Sequence, residues 1–175
     1  MAGGTFAVEV VTPEAKLLEG DARAVVLRSS DGELTVLDGH TPIITDVVIG
    51  QVRVDRDEGE VVRLAVHGGF LQVETGPGVG EGAGDAPGGP GGWSTRVTLL
   101  AGVAERAEEI DAARAERARA EAQSRVEDLR SRQGPSRGPA AAAEEGEGPS
   151  AEDLELVAAE AALRRAEVRL EVAAG

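Results

Sequence analysis

The stretch Asp31-Gly32-Glu33-Leu34-Thr35-Val36-Leu37-Asp38-Gly39-His40-Thr41-Pro42-Ile43-Ile44-Thr45 decides how the first hundred residues are read. A short run, Glu33 to Leu37, lies between two Asp-Gly pairs. Aspartate side chains bond to nearby backbone N–H groups and glycine accepts positive φ at no steric cost, so such pairs close hairpins rather than continue helices. Pro42 fixes its own φ and sets a bend before the next apolar run at Ile43. The stretch is therefore strand, turn, strand.

The same texture extends outward. Phe6-Ala7-Val8-Glu9-Val10-Val11, Ala24-Val25-Val26-Leu27, Gln51-Val52-Arg53-Val54, Val61-Val62-Arg63-Leu64-Ala65-Val66 and Phe70-Leu71-Gln72-Val73 are short and β-branched, with Glu58-Gly59 and Gly68-Gly69 as further turn signals. Many short strands spaced by roughly 8–12 residues predict an antiparallel β-sandwich or barrel, with no βαβ unit. From Gly76 to Gly92 the chain is mostly Gly and Pro, which offers little apolar area against the entropy of ordering. Residues 76–95 are thus expected to form a flexible insertion between two paired strands, the second being Arg96-Val97-Thr98-Leu99-Leu100-Ala101.

Beyond residue 103 the composition shifts to Ala, Glu and Arg. Ala115, Ala118, Ala122, Val126 and Leu129 follow a three–four spacing, which predicts a helix over about 104–132. Gln133 to Gly148 breaks the pattern with Gly and Pro, so 133–150 reads as a linker. Ser150 with Asp153 resembles a capping box, and Leu156, Ala159, Leu163, Ala166, Leu170 and Ala173 mark one face of a second helix over about 151–174. The expected fold is α+β: an N-terminal antiparallel β-sandwich head over 1–103, followed by a C-terminal two-helix antiparallel hairpin over 104–175. Alanine faces bury little area per turn, so the hairpin should lean on a partner surface.

Composition excludes several functions. The 175 residues carry a formal charge of −14 and three aromatic side chains, Phe6, Phe70 and Trp93, so phosphate neutralisation and base stacking are unprovided for and no nucleic-acid partner is expected. Cysteine is absent, which removes disulfides and thiolate nucleophiles. The N-terminus lacks a basic segment and does not read as a signal peptide. No window approaches the ~20 apolar residues that span a bilayer, so no direct membrane insertion is expected and membrane association would run through other proteins.

Nor is there a sequence argument for catalysis. His40 and His67 each stand beside a turn glycine without a third ligand at diagnostic spacing, so no metal is expected. No serine lies in a Gly-x-Ser-x-Gly elbow, and the glycine run lacks both Gly-x-Gly-x-x-Gly and a Lys-Ser/Thr ending. The chain is read as a non-enzyme with no catalytic residues and no obligate cofactor.

The Asp31–Thr45 stretch resembles the epsilon subunit family of F-type ATP synthases, where a G-E-L-x-[VI]-L-x-G-H-x-P-[IL]-[IL]-T pattern occurs. Val8–Glu14 resembles that family's opening strand, Ala65-Val66-His67-Gly68-Gly69-Phe70-Leu71-Gln72-Val73 its G-G-F-L hairpin, and Val97–Ala101 through Ala104–Ala107 its last strand and exit into the first helix. The resemblance covers nearly the whole chain except 76–95 and 133–148, which depart from the compact pattern.

The resemblance implies a non-catalytic rotor subunit of the central stalk, at the cytoplasmic face of a bacterial plasma membrane. It would couple c-ring rotation to the catalytic head through the gamma subunit and restrain ATP hydrolysis with its helices, which would transiently touch the alpha/beta head. Asp31, Glu33, His40, Thr41 and Pro42 would lie on loops facing the c-ring; read without the resemblance, the same residues are hairpin turns and a proline bend.

Ile110-Asp111-Ala112-Ala113-Arg114-Ala115, with Glu105 ahead, resembles the I/L-D-x-x-R-A motif that binds ATP in some members, which makes Glu105, Ile110, Asp111, Arg114 and Ala115 candidates for a regulatory ATP site. The plain alternative is an i,i+3 surface pair of Asp111 with Arg114. Arg165 and Arg169, one turn apart and off the leucine stripe, are candidate contacts to acidic groups of the head, or else part of a solvated face. The reading that competes with all of these is a free-standing β-sandwich binding module with a helical oligomerisation tail.

Overall fold

A computed structural model describes residues 4–56, 59–77, 93–133 and 150–175. In chain order it contains β1 (Phe6–Val11), β2 (Lys16–Ala22), β3 (Ala24–Ser29), β4 (Gly32–Leu37), β5 (Ile43–Asp55), β6 (Val61–Pro77), β7 (Trp93–Ala101), β8 (Ala104–Arg106), a 3-10 turn at Ala107–Glu109, α1 (Ala112–Gln133) and α2 (Ala151–Ala173). Most of the expected Gly/Pro insertion, 78–92, and most of the inter-helix linker, 134–149, lie outside the described residues.

The strands follow the order β2-β1-β7-β6-β5-β3-β4, with β8 added to β6. Pairing is antiparallel except between β1 and β7, which run parallel. Two layers arise because β5 and β6, the longest strands, belong to both. The C-terminal half of β6 pairs with β7, and its Leu64–Val66 segment with β8, while the far end of β5 pairs with β3.

Side-chain parity records the crossing. On β6 Leu64 and Val66 point into the core, and then Leu71 and Val73 do so, an odd step in a period of two. The step falls at Gly68-Gly69. Gly68 has φ +105°, and a Cβ at Gly69 would collide with the carbonyl oxygen of Leu100. The corner is fixed by the Gly68 carbonyl, which accepts from Gly102 N at 3.2 Å, and by His67 N, which donates to the Val103 carbonyl at 2.9 Å. The sequence reading placed a turn between two strands here. Instead β6 continues through the glycine pair, because a residue without Cβ lets a strand coil sharply without losing its ladder.

Between the layers lies a core of Phe6, Val8, Val10, Leu18, Val25, Leu27, Val36, Val52, Val54, Leu64, Val66, Leu71, Val73, Val97 and Leu99. The alternation along β1, β3, β4, β5, β6 and β7 supplies all of these but Leu18. Two strands were not legible in the sequence: β2, whose KLLEGDA run shows no clean alternation, and the three-residue β8.

The first helix begins later than expected, at Ala112 rather than near 104. Ala104–Arg106 are held as β8 against Leu64–Val66. Asp111 then caps the helix: its carboxylate accepts from Arg114 N at 2.9 Å and its carbonyl from Ala115 N at 2.9 Å. Helix α2 begins where the sequence placed it, with a reciprocal capping box of Ser150 and Asp153.

Helix α2 has two apolar contacts. Leu156, Ala159 and Leu163 pack on Val126 and Leu129 of α1. One turn later Val168 and Val172 pack on Ala65, with Ile49, Ala107 and Ile110 around them. The single expected stripe missed both valines, since they face the outer surface of the sheet rather than the other helix.

Gly69→Ala should lower unfolding stability by roughly 2–3 kcal/mol, because backbone must move to admit the methyl group. Gly102→Ala, which meets open space, should change it by no more than about 0.5 kcal/mol. Chemical denaturation of both variants checks the contrast.

Candidate functional site

Two short connections carry the residues assigned to the loop surface, and each is pinned by side-chain hydrogen bonds. At the β3–β4 hairpin Ser30 donates through its backbone N and Oγ to the Asp46 carboxylate at 3.2 and 2.8 Å, and Asp31 N donates to Ser29 Oγ at 3.2 Å. Asp31 and Glu33 are exposed there. At the β4–β5 connection Gly39 N donates to Thr95 Oγ1 at 2.9 Å and Thr75 Oγ1 donates to the His40 carbonyl at 2.7 Å. Thr41 and Pro42 are exposed and His40 half-buried.

The structure does not gather these five residues into one patch. They sit at opposite ends of β4, whose Gly32 and Leu37 are roughly 17 Å apart at about 3.3 Å per residue. Nor did sequence reasoning single out Thr75, Thr95, Ser30 and Asp46, the side chains that fix both connections. A threonine or aspartate inside a strand looks ordinary until its partner, tens of residues away, is placed beside it.

The outer faces of the two layers differ. Helix α2 covers one of them, over Ile49 and Ala65. The other shows two rows of cross-strand neighbours along β5, β6, β7 and β1: Asp46, Phe70, Leu100 and Val11, then Ile44, Gln72, Thr98 and Glu9. Phe70 is 61% exposed, Leu100 51% and Ile44 72%. Large apolar side chains side by side on an open sheet face, rimmed by Glu9 and Asp46, have the character of an interaction surface.

A third feature is a cleft of about 400 Å³ between the start of α1 and the end of α2, lined by Glu105, Glu109, Asp111, Arg114, Ala115, Ala118 and Arg169. Four of the five residues read as a nucleotide motif meet here. Ile110 instead packs under α2 with Val168 and Val172. The Asp111–Arg114 side-chain pair of the alternative reading is absent, since the carboxylate bonds the backbone N–H of Arg114 and leaves its guanidinium without an ion-pair partner among the described residues. Arg169 crosses from α2 to β8, where its Nε donates to Glu105 Oε1 at 2.8 Å and Nη2 to the same oxygen. A charge-assisted contact thus closes the cleft. In this arrangement Arg169 serves an internal contact, and Arg165 lies near His67.

Among the described residues no group of three or more His, Asp and Glu is placed to hold a metal ion, and no helix is long and apolar enough to cross a membrane.

A family model described as the ATP synthase delta/epsilon chain β-sandwich domain matches residues 5–76. The ATP synthase epsilon chain of Pelotomaculum thermopropionicum is 38% identical over 126 residues, covering 72% of this chain and 79% of that one. That of Desulforudis audaxviator is 38% identical over 126 residues, covering 72% and 77%, and that of Anoxybacillus flavithermus 37% over 123 residues, covering 70% and 77%. Among solved structures, a chain of the Euglena gracilis mitochondrial ATP synthase superposes with a TM-score of 0.65 at 20% identity, covering 100% of this chain and 84% of that one. At that identity the likeness is one of fold.

Asp111→Ala should cost about 1 kcal/mol of hairpin stability through loss of the cap, whereas Asp111→Ser should retain most of it. Amide hydrogen exchange at Arg114 and its neighbours, faster in the alanine variant only, checks this.

Proposed function

The chain belongs to the ATP synthase epsilon chain family, whose members are non-catalytic accessory subunits, and on that premise we propose that it is a central-stalk rotor subunit gripping gamma and resting on the c-ring. The observation that carries this reading is the asymmetry of the sandwich. One outer face is occupied by α2, while the other presents Phe70, Leu100 and Ile44 to solvent. Leaving that apolar area in water is unfavourable, and a gamma subunit laid across the Ile44–Phe70–Leu100 face would remove it. The c-ring contacts would be the two pinned connections, with Asp31 and Glu33 at one end of β4 and His40, Thr41 and Pro42 at the other. Short connections held by side-chain hydrogen bonds suit a part that transmits torque, since little of an applied load would be lost in loop deformation. These partners would hold the chain at the cytoplasmic face of a bacterial plasma membrane.

The cleft supports a second, regulatory reading. Asp111 or Glu105 would accept from the amino group of adenine, and Arg114 with Arg169 would donate to phosphate. Bound ATP would then bridge α1, α2 and β8 and favour the docked hairpin, whereas an undocked hairpin would be free to extend toward the alpha/beta head and restrain hydrolysis.

Phe70→Glu, a change at an exposed position, should leave the fold intact and weaken co-purification with gamma by at least about tenfold, as loss of a central apolar anchor does. Val157→Glu on α2 should not. A wild-type chain that forms no pair with gamma and self-associates through its helices would favour the free-standing binding module instead. In calorimetric titration ATP should release heat, and Arg114→Gln should weaken binding about tenfold. An absence of heat at millimolar ATP would discard the nucleotide reading.

A further inference from the structure

His67 occupies the seam between α2 and the sheet. It stands on β6 beside the Gly68-Gly69 corner, opposite Ile49 of β5, and one residue beyond Val66, whose β8 partner is Ala104. Its ring is half-buried, and Nε2 is buried with no polar partner among the described residues. The charged groups that face it are Arg169 and Arg165 from α2 and Glu105 from β8, while β5 contributes the apolar Ile49 at the opposed position. Glu105 already accepts two N–H groups from Arg169. A neutral imidazole fits this seam. A protonated one would bury a donor without an acceptor and add a third cation beside two arginines.

We infer that His67 is a proton sensor for helix docking: protonation of its ring drives α2 off the sheet, so that acidification releases the C-terminal half of the hairpin. The inference rests on the reading that the hairpin can leave the sheet. Burial, first, and then the Arg169 guanidinium push the His67 imidazole below its ordinary value of 6.5, with Glu105 opposing and Arg165 adding to the downward push. Once α2 has left, the ring faces water and recovers ordinary basicity, so the released form binds the proton more tightly. Above about pH 6.5 both forms are neutral and docking is indifferent to this residue. As pH falls through that value docking weakens, and the effect levels off once the docked form is protonated too. Among the described residues, the apolar contact that resists release is the one of Val168 and Val172 with Ala65, Ile49, Ala107 and Ile110.

The full chain is free of cysteine, so spin labels can be placed at Glu14→Cys in the exposed β1–β2 turn and Val157→Cys on α2, and their separation followed by pulsed electron resonance from pH 8 to pH 5.5. A single distance at pH 8 that gives way to a longer one as pH is lowered, with the response abolished in His67→Gln, is the expected result. His67→Ser serves the same purpose if the glutamine variant does not fold. An unchanged pH response in these variants would overturn the role of His67. Val168→Asp, which places a charge in the apolar seam, tells the two ideas apart. A long distance in that variant beside a pH-independent wild type would sink the sensor and leave hairpin mobility standing. The wild-type pH 8 distance in every variant at every pH would sink hairpin release, and the sensor with it.

Discussion

Everything in this molecule hangs from the coiling of two strands through one corner. β5 and β6 run side by side from one layer of the sandwich into the other, and their inward-facing sets change parity together as they pass Gly68 and Gly69. Without that corner Leu64 and Val66 could not share a core with Leu71 and Val73, and the sheet would stay flat with half its valines in water. Glycine is demanded twice, once by a positive φ and once by the approach of the Leu100 carbonyl.

The corner also sets where function can reside. On one outer face it leaves Ala65, His67 and Ile49 as a landing surface for α2, and on the other layer it leaves Phe70 paired with Leu100 and exposed. One chain thus presents a face it covers itself and a face it leaves uncovered. The covered face is held lightly. Burying the two valines contributes on the order of 3–4 kcal/mol before the entropy of ordering the helix is set against it, a quantity that one ion pair or one proton can shift. The contact between Arg169 and Glu105, at the mouth of the cleft, lies on the same seam as His67.

The fold class, the order of sandwich and hairpin, and the start of α2 were legible because each rests on local chemistry: alternation in Val-rich runs, Asp-Gly turns and a Ser–Asp capping box. Asp111 shows the limit of that legibility. In sequence it looks like half of an ion pair or a nucleotide ligand, and in the structure its carboxylate caps α1. Helix propensity over 104–111 is respectable, yet Ala104–Arg106 become a strand because β6 offers a free edge at Leu64–Val66. Tertiary pairing outweighed local preference, since each ladder hydrogen bond satisfies a backbone group that an isolated helix start would leave to water.

By itself the sequence determined most of the strand runs, both helices apart from the start of α1, and which residues carry the family pattern, because those properties depend on neighbours within a few positions. Only the tertiary structure decided that Asp31 and His40 stand apart at the two ends of β4, that Thr75 and Thr95 clamp one loop, and that Arg169 meets Glu105 beside His67. Those relations join residues separated by up to 64 positions, and they exist only once the corner at Gly68-Gly69 has folded one layer over the other.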